Sequence, residues 1–454
     1  MSALSLATEA ARVLPSALAG RLVFPDDLAY DELRRVWNGR IAKKPAVIVR
    51  CAAAEDVVEA IGFARASGLV VSVRGGGHSI AGNSVCDGGV MIDLSGMKQI
   101  HVDPEARTAR AGPGLTLGQF DAATQDFGLA TTMGVMSDTG IAGLTLGGGV
   151  GRLARKHGTS CDNLISAKIV LADGRLVTAG PEQHPDLFWA LRGGGNFGVV
   201  TSFQYRLHPL GPTILGGLVL HEWPRAKEVL RFYRDFCRSA PDAVSADAAL
   251  IGSPDGSKML GIAACYVGSV EKGEHALRPL CEFGPPAQNQ IAPMSYVALQ
   301  SAVDPLLPRG RRYYWKTHLL KEIDDGTIDV LLDSFARVPS PMSIVSLQQL
   351  GGAAARVAPE ATAYAHRDAA FDCVPICAWE NAAEDETNIA WAREMWEALR
   401  PFASGRVYVN NLGEEGEDRV RAAYGVNYDR LATVKAKYDP DNLFRLNQNI
   451  KPLV

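Results

Sequence analysis

Three consecutive glycines, Gly75, Gly76 and Gly77, carry the chain into His78 and Ser79 directly after the β-rich run at 70–73. Glycines reach positive φ and let the backbone approach a bulky ligand without Cβ clashes. The N–H groups of such a loop can converge on phosphate oxygens, and a pyrophosphate fits there. A histidine at the exit adds an imidazole nitrogen, a nucleophile held by a rigid turn. A second glycine-rich block runs from Thr139 and Gly140 through Gly143, Gly147, Gly148, Gly149 and Gly151 to Gly158, with Asp162 and Asn163 close behind. A third spans 186–201 and includes Gly193, Gly195, Gly198 and Val199; a fourth lies at the C-terminal end, from Tyr424 to Asn447 and Asn449.

The third block satisfies G-x-G-x-x-G, a pattern that in a nicotinamide-binding fold opens a helix after a strand. Here the order is reversed. A helix-like stretch at 187–191 precedes the glycines and a strand-like one at 199–205 follows them, which argues against nicotinamide binding by that route.

The segment from Arg74 through His78 to Asn83, together with the three later blocks in the same order, resembles the berberine-bridge-enzyme-like oxidases of the vanillyl-alcohol oxidase and p-cresol methylhydroxylase flavoprotein superfamily. The resemblance implies FAD as cofactor, with His78 bonded to the isoalloxazine 8α carbon. It implies cofactor contacts from Arg74, Gly75, Gly76, Gly77, Ser79, Thr139, Gly140, Gly143, Gly147, Gly148, Gly149, Gly151, Asn163, Val199, Asn447 and Asn449. Many members carry a second flavin bond from a cysteine just before the second glycine block. Met136 stands at that place here, and a thioether cannot form the bond, so attachment through His78 only is expected. Tyr408 and Asn410 match the family's Tyr-x-Asn segment. Tyr408 is then the group that accepts or orients the substrate proton as a hydride leaves for the flavin, and Asn410 shares its face at strand period two.

The implied reaction is oxidation of an alcohol, hemiacetal or amine carbon with dioxygen reduced to hydrogen peroxide; a dehydrogenase of the same fold using another acceptor is the alternative. A flavin-carrying electron-transfer protein without turnover is disfavoured by Tyr408 beside Asn410. Members act on sugars, alkaloids and secondary metabolites, and fold does not transfer substrate.

These residues need elements to hold them. A strand at 46–49, a helix at 54–67 and a strand at 70–73 form a βαβ-like unit feeding the first glycine loop, with Val57, Ile61 and Ala64 on one helix face. Further strands are expected at 90–94, 100–102 and 108–111. Between about 213 and 400 the glycine blocks stop, and strand-like segments at 262–267, 313–320 and 371–379 alternate with helix-like ones at 225–237 and 386–399. The expected fold class is α+β: an FAD-binding domain of two α+β subdomains, from 1–208 and 402–454, with an inserted substrate domain at 209–401. The resemblance implies a large antiparallel sheet covered by helices for that insert. On the 313–320 strand, Tyr313, Trp315 and Thr317 share one face, and Tyr314, Lys316 and His318 the other. Tyr313, Trp315, Thr317 and His318 are candidate pocket residues, with His366 and Arg367 weaker ones.

The 454 residues are 47% hydrophobic and 21% charged, with net charge −4 and a pI near 6.2, which disfavours nucleic acid or anionic membranes as partners. A small-molecule substrate and dioxygen are the expected partners, for a monomer or homodimer. Residues 1–20 lack a cationic leader and read as a surface helix of a cytoplasmic protein. Eight scattered cysteines suggest reduced thiols, and Cys373 and Cys377 have no second Cys or His pair beside them to complete a zinc site, so no metal is expected.

Overall fold

A computed structural model describes Leu18 and residues 21–453; apart from Leu18, the N-terminal segment read as a surface helix lies outside the described residues. The βαβ-like opening forms as its pattern dictates. Strands Val47–Arg50 and Val71–Arg74, joined through helix Ala54–Ser67, flank Val90–Asp93 in parallel, and Leu22–Val23 adds an antiparallel edge to Val47–Arg50 to complete a four-stranded sheet. Val57, Ala60, Ile61 and Ala64 of the helix are buried on that sheet, and Gly68 ends the helix in the left-handed conformation that lacks a Cβ penalty. A second sheet, wholly antiparallel, orders Ile100–Asp103, Thr108–Ala111, Val199–Arg206, Leu164–Val170 and Leu176–Ala179.

The third large sheet has nine strands, all between Thr213 and Trp379 and all antiparallel. Helices Ala226–Ser239, Asp325–Ala336 and Asp385–Leu399 bury one of its faces in a core that includes Val229, Tyr233, Leu331, Phe335 and Trp391. Its other face looks toward the glycine-rich segments. Strand Phe371–Trp379 is buried at every position, apolar throughout except for Asp372, whose carboxylate accepts from Thr317 and Asn411.

The expected continuous strand at 313–320 is two pieces, Arg312–Trp315 and His318–Leu320, both paired with Phe371–Trp379. Trp315 pairs with Ile376 and His318 with Cys373, so Lys316 falls opposite Pro375, which has no N–H for the ladder. The alternation survives the break: Trp315 lines the inner cavity, whereas His318 and Lys316 turn to Trp396 on the covering helix. The C-terminal residues form no strand at 447–449. They close the cofactor-side core, where Val407, Leu412, Tyr424, Leu431 and Ile450 pack with Ala109, Phe120, Phe203 and Tyr205. No helix among the described residues is long and apolar enough to cross a membrane.

Candidate active site

A cavity of about 430 Å³ lies between the glycine segments and the inner face of the nine-stranded sheet. All four sequence blocks reach it. Gly75, Gly76, Gly77, His78 and Ser79 line it, as do Thr139, Gly140, Gly143, Gly147, Val199 and Asn447. The bare backbone is obligatory where two loops touch: a Cβ on Gly76 would fall 2.4 Å from the nitrogen of Gly140, and one on Gly140 equally close to that of Gly76.

Other expected contacts serve the frame instead. The Arg74 guanidinium turns away to Asp93 at 3.1 Å and to the Leu33 carbonyl, locking the strand that carries the loop. Gly148, Gly149 and Gly151 do not line the cavity; a Cβ there would strike the Tyr364 ring, Ser160 Oγ and the Met133 carbonyl, respectively. Asn163 donates to the carbonyls of His157 and Thr159 and meets His208, away from the cavity. Asn449 also stays off it, and the neighbouring Gln448 lines it instead. Irregular backbone rather than strand at 447–449 explains why two residues of equal spacing do not share a face.

The Tyr408 hydroxyl accepts hydrogen bonds from the Gly149 N–H at 3.0 Å and from Asn410 Nδ2 at 2.8 Å. This pairing arises from a 3₁₀ turn at Val409–Asn411, not from the strand face expected from the sequence. Asn410 Nδ2 also reaches the Leu144 carbonyl at 3.0 Å, and its Oδ1 occupies the space of the missing Gly147 side chain. Burial drives the phenol of Tyr408 well above its ordinary range, against the opposing pull of the two donors.

Above these groups the sheet presents Ala249, Ile251, Ile344, Val374, Ile376 and the Trp315 indole, with Asp247, Ser346 and Gln348 at the polar positions. Trp315 Nε1 is buried without a partner among the described residues. The other pocket candidates separate. Tyr313 is buried, stacking on Trp37 at 3.8 Å; Thr317 donates to Asp372; His318 stacks on Trp396, and burial lowers it to about 4. His318 is therefore a neutral packing residue on the helix side. His366 Nε2 donates to the Ala422 carbonyl at 2.8 Å, and Arg367 pairs with Asp162, so both hold structure.

His78 sits at one edge of the cavity, its ring stacked on Trp37 at 4.4 Å and its Nε2 3.3 Å from Asp138. Trp37, Asp138 and the sheet residues Asp247 and Gln348 escaped sequence reading. Asp138, two residues after Met136 and directly before the second block, was the one with a local signal. Met136 lines the cavity, whereas none of the eight cysteines does; Cys161 is buried and its thiol pushed up to about 12 by burial.

A wall of the site rests on Asp121, wholly buried, which accepts from Gln300 Nε2 at 3.1 Å; Gln300 also donates to the Gly134 carbonyl. Burial raises the Asp121 carboxyl to about 7, from 3.8. A carboxyl raised on folding favours the folded state below about pH 4, and that contribution is lost as pH rises through about 7. We predict that Asp121→Asn, which keeps the shape and the Gln300 bond, is more stable than wild type near pH 8 by on the order of 2–4 kcal/mol and nearly equal near pH 4. Denaturant unfolding at both pH values measures this; the same offset at both would refute it.

A cradle of side-chain-free backbone ending at a histidine whose Nε2 has no aligned hydrogen-bond partner suits a dinucleotide with a reactive ring at one end. Comparison with known proteins agrees. The FAD binding domain family matches residues 45–180, and the family described as berberine and berberine like matches residues 407–451. An FAD-linked oxidoreductase of Dictyostelium discoideum is 32% identical, covering 92% of this chain and 91% of its own. (R)-6-hydroxynicotine oxidase of Paenarthrobacter nicotinovorans is 32% identical, covering 96% and 98%. The crystal structure of 6-hydroxy-D-nicotine oxidase from Arthrobacter nicotinovorans superposes with a TM-score of 0.90 at 30% identity, over 97% of this chain and 100% of that one. Fold and site thus define an FAD-linked oxidoreductase. The chain belongs to the berberine-bridge-enzyme-like family, within the vanillyl-alcohol oxidase and p-cresol methylhydroxylase superfamily.

Proposed function

We propose that this oxidoreductase is an oxidase that removes a hydride from an alcohol, hemiacetal or amine carbon of a small molecule, with dioxygen leaving as hydrogen peroxide. In this reading FAD is attached through His78 only. The observation that carries it is the Tyr408 hydroxyl, fixed by the Gly149 N–H and Asn410 on the floor of a cavity whose roof is apolar. FAD, when bound, supplies the two-electron acceptor. Tyr408 orients the substrate hydroxyl or amine and, once ionised, takes up its proton, with the Gly149 N–H and Asn410 donating to the phenolate, and Trp315 Nε1 offers a donor to a polar group of the substrate. The roof formed by Ile251, Ile344, Val374 and Ile376 excludes water from the reacting carbon.

The same reading assigns residues 1–208 and 402–454 to the cofactor domain and 209–401 to the substrate domain. Its support is the shared core of the C-terminal segment with the antiparallel five-stranded sheet. Attachment at His78 alone is supported by Met136 in the cavity wall and the absence of cysteines from it. Acid-precipitated wild-type protein should keep its flavin and His78→Ala should release all of it. Free flavin in the wild-type supernatant would refute covalent attachment. A screen of sugars, amines and alcohols for peroxide tests the oxidase assignment; a substrate that bleaches the flavin without peroxide on admission of air would make the protein a dehydrogenase.

A further inference from the structure

His78 is restrained from two sides. Its ring lies on Trp37, 4.4 Å away and 22° from parallel, and Trp37 lies on Tyr313. At its edge, Nε2 is 3.3 Å from Asp138 Oδ1; the two are not aligned as a hydrogen bond, and neither atom has another partner. The second carboxylate oxygen, Oδ2, meets Arg309 Nε at 3.1 Å, and the same guanidinium donates to the carbonyl of Gly76. Arg309 thus ties Asp138 to the glycine loop that carries His78. Burial alone would raise the Asp138 carboxyl, but His78 and Arg309 outweigh it and hold it below its ordinary value, so it stands as a carboxylate beside the imidazole.

The geometry points to Asp138 as the positioning residue that lets the chain carry out its own flavin attachment, by holding the His78 ring and accepting the proton at Nε2. This rests on the reading that His78 carries the flavin. An imidazole whose Nε2 proton is held by a carboxylate presents its lone pair at Nδ1. The Nδ1–C8α bond forms as a C8α–H bond breaks, and the electron pair of that C–H bond passes into the ring system. The ring system ends reduced by two electrons and holding two protons, one from C8α and one from the imidazole by way of Asp138. Dioxygen takes the two electrons and two protons and leaves as hydrogen peroxide. Arg309 acts through Asp138, keeping it ionised and aimed. Oblique contacts of this kind commonly tighten once a ligand is bound.

The test uses the full chain produced without flavin and then given FAD in air. Fluorescence quenching reads binding, and acid-stable flavin over time reads attachment. Asp138→Asn is expected to bind FAD as wild type does and to attach it at least ~10-fold more slowly, with Asp138→Glu recovering part of the rate. A merely structural role would lower binding and attachment together, and attachment at the wild-type rate in Asp138→Asn would overturn the inference. The wild-type flavopeptide gives a readout independent of any variant: the adduct is expected at Nδ1, and an Nε2 adduct would overturn it as well. Wild-type protein that binds FAD but never becomes acid-stable would instead refute attachment at His78.

Discussion

Tyr408→Phe is expected to slow anaerobic flavin reduction by about 10²–10⁴-fold, the usual contribution of a positioned acid or base, while the protein stays folded and loaded. The substitution removes one oxygen and keeps the ring, whose edge contact with Tyr364 at 5.9 Å is preserved. Two donors converge on that oxygen and would hold the phenolate that accepts the substrate proton. Because burial favours the protonated phenol, the ionised fraction able to accept the substrate proton grows with pH, so the wild-type reductive rate should rise with pH and Tyr408→Phe should flatten that rise. Rapid-mixing absorbance at several pH values, with a substrate found by the peroxide screen, measures both. An unchanged rate and profile would reduce Tyr408 to a packing residue.

The second large effect is expected at Lys435, a fully buried ammonium 2.7 Å from Asp439. It donates to the carbonyl of Asn196 at 2.5 Å and of Phe444 at 2.9 Å, and both residues line the cavity. Asp439 accepts the N–H groups of Leu443 and Phe444. Burial pushes the Lys435 pKa down, with Asp439 opposing it. Lys435→Met leaves a buried carboxylate without its counter-charge and two carbonyls without a donor, a loss of about 3–5 kcal/mol. The third and fourth glycine-bearing segments lose their tie at the same time, so the flavin-to-protein absorbance ratio should drop in parallel. Denaturant unfolding that shows less than about 1 kcal/mol of destabilisation would exclude this role.

Local pattern was enough where a single element decides its own form. The helix at 54–67 follows from apolar spacing and a terminal Gly68, and the strand at 371–379 from a largely apolar run; both lie at the residues expected. The cavity-facing glycines were legible because each block is contiguous. Partners remote in sequence were not. Nothing near Arg74 says that Asp93 claims its guanidinium, nothing near Asn163 that His208 does the same for its amide oxygen, and Asp138 meets Arg309 only across 171 residues. Period-two alternation separated the faces of 313–318 correctly, but only the covering helix with Trp396 shows which face is inward. Tyr408 and Asn410 are an instructive case, since the expected proximity is present while a turn, not a strand, produces it.

The closing of the cofactor-side core by residues 407–450 has a consequence for how the protein is made. Phe120, Phe203 and Tyr205 leave the ribosome long before Val407, Leu412 and Tyr424, which pack against them. At translation rates of about 5–20 residues per second, the roughly 200 intervening residues take about 10–40 s. Throughout that interval the first half of the chain carries an uncovered apolar surface. The cavity walls supplied by Asn410 and Asn447 do not yet exist, so FAD meets a complete site only after the segment to Asn447 has been made. Cofactor supply then sets the fraction of finished chains that become holoenzyme, rather than the course of their folding on the ribosome.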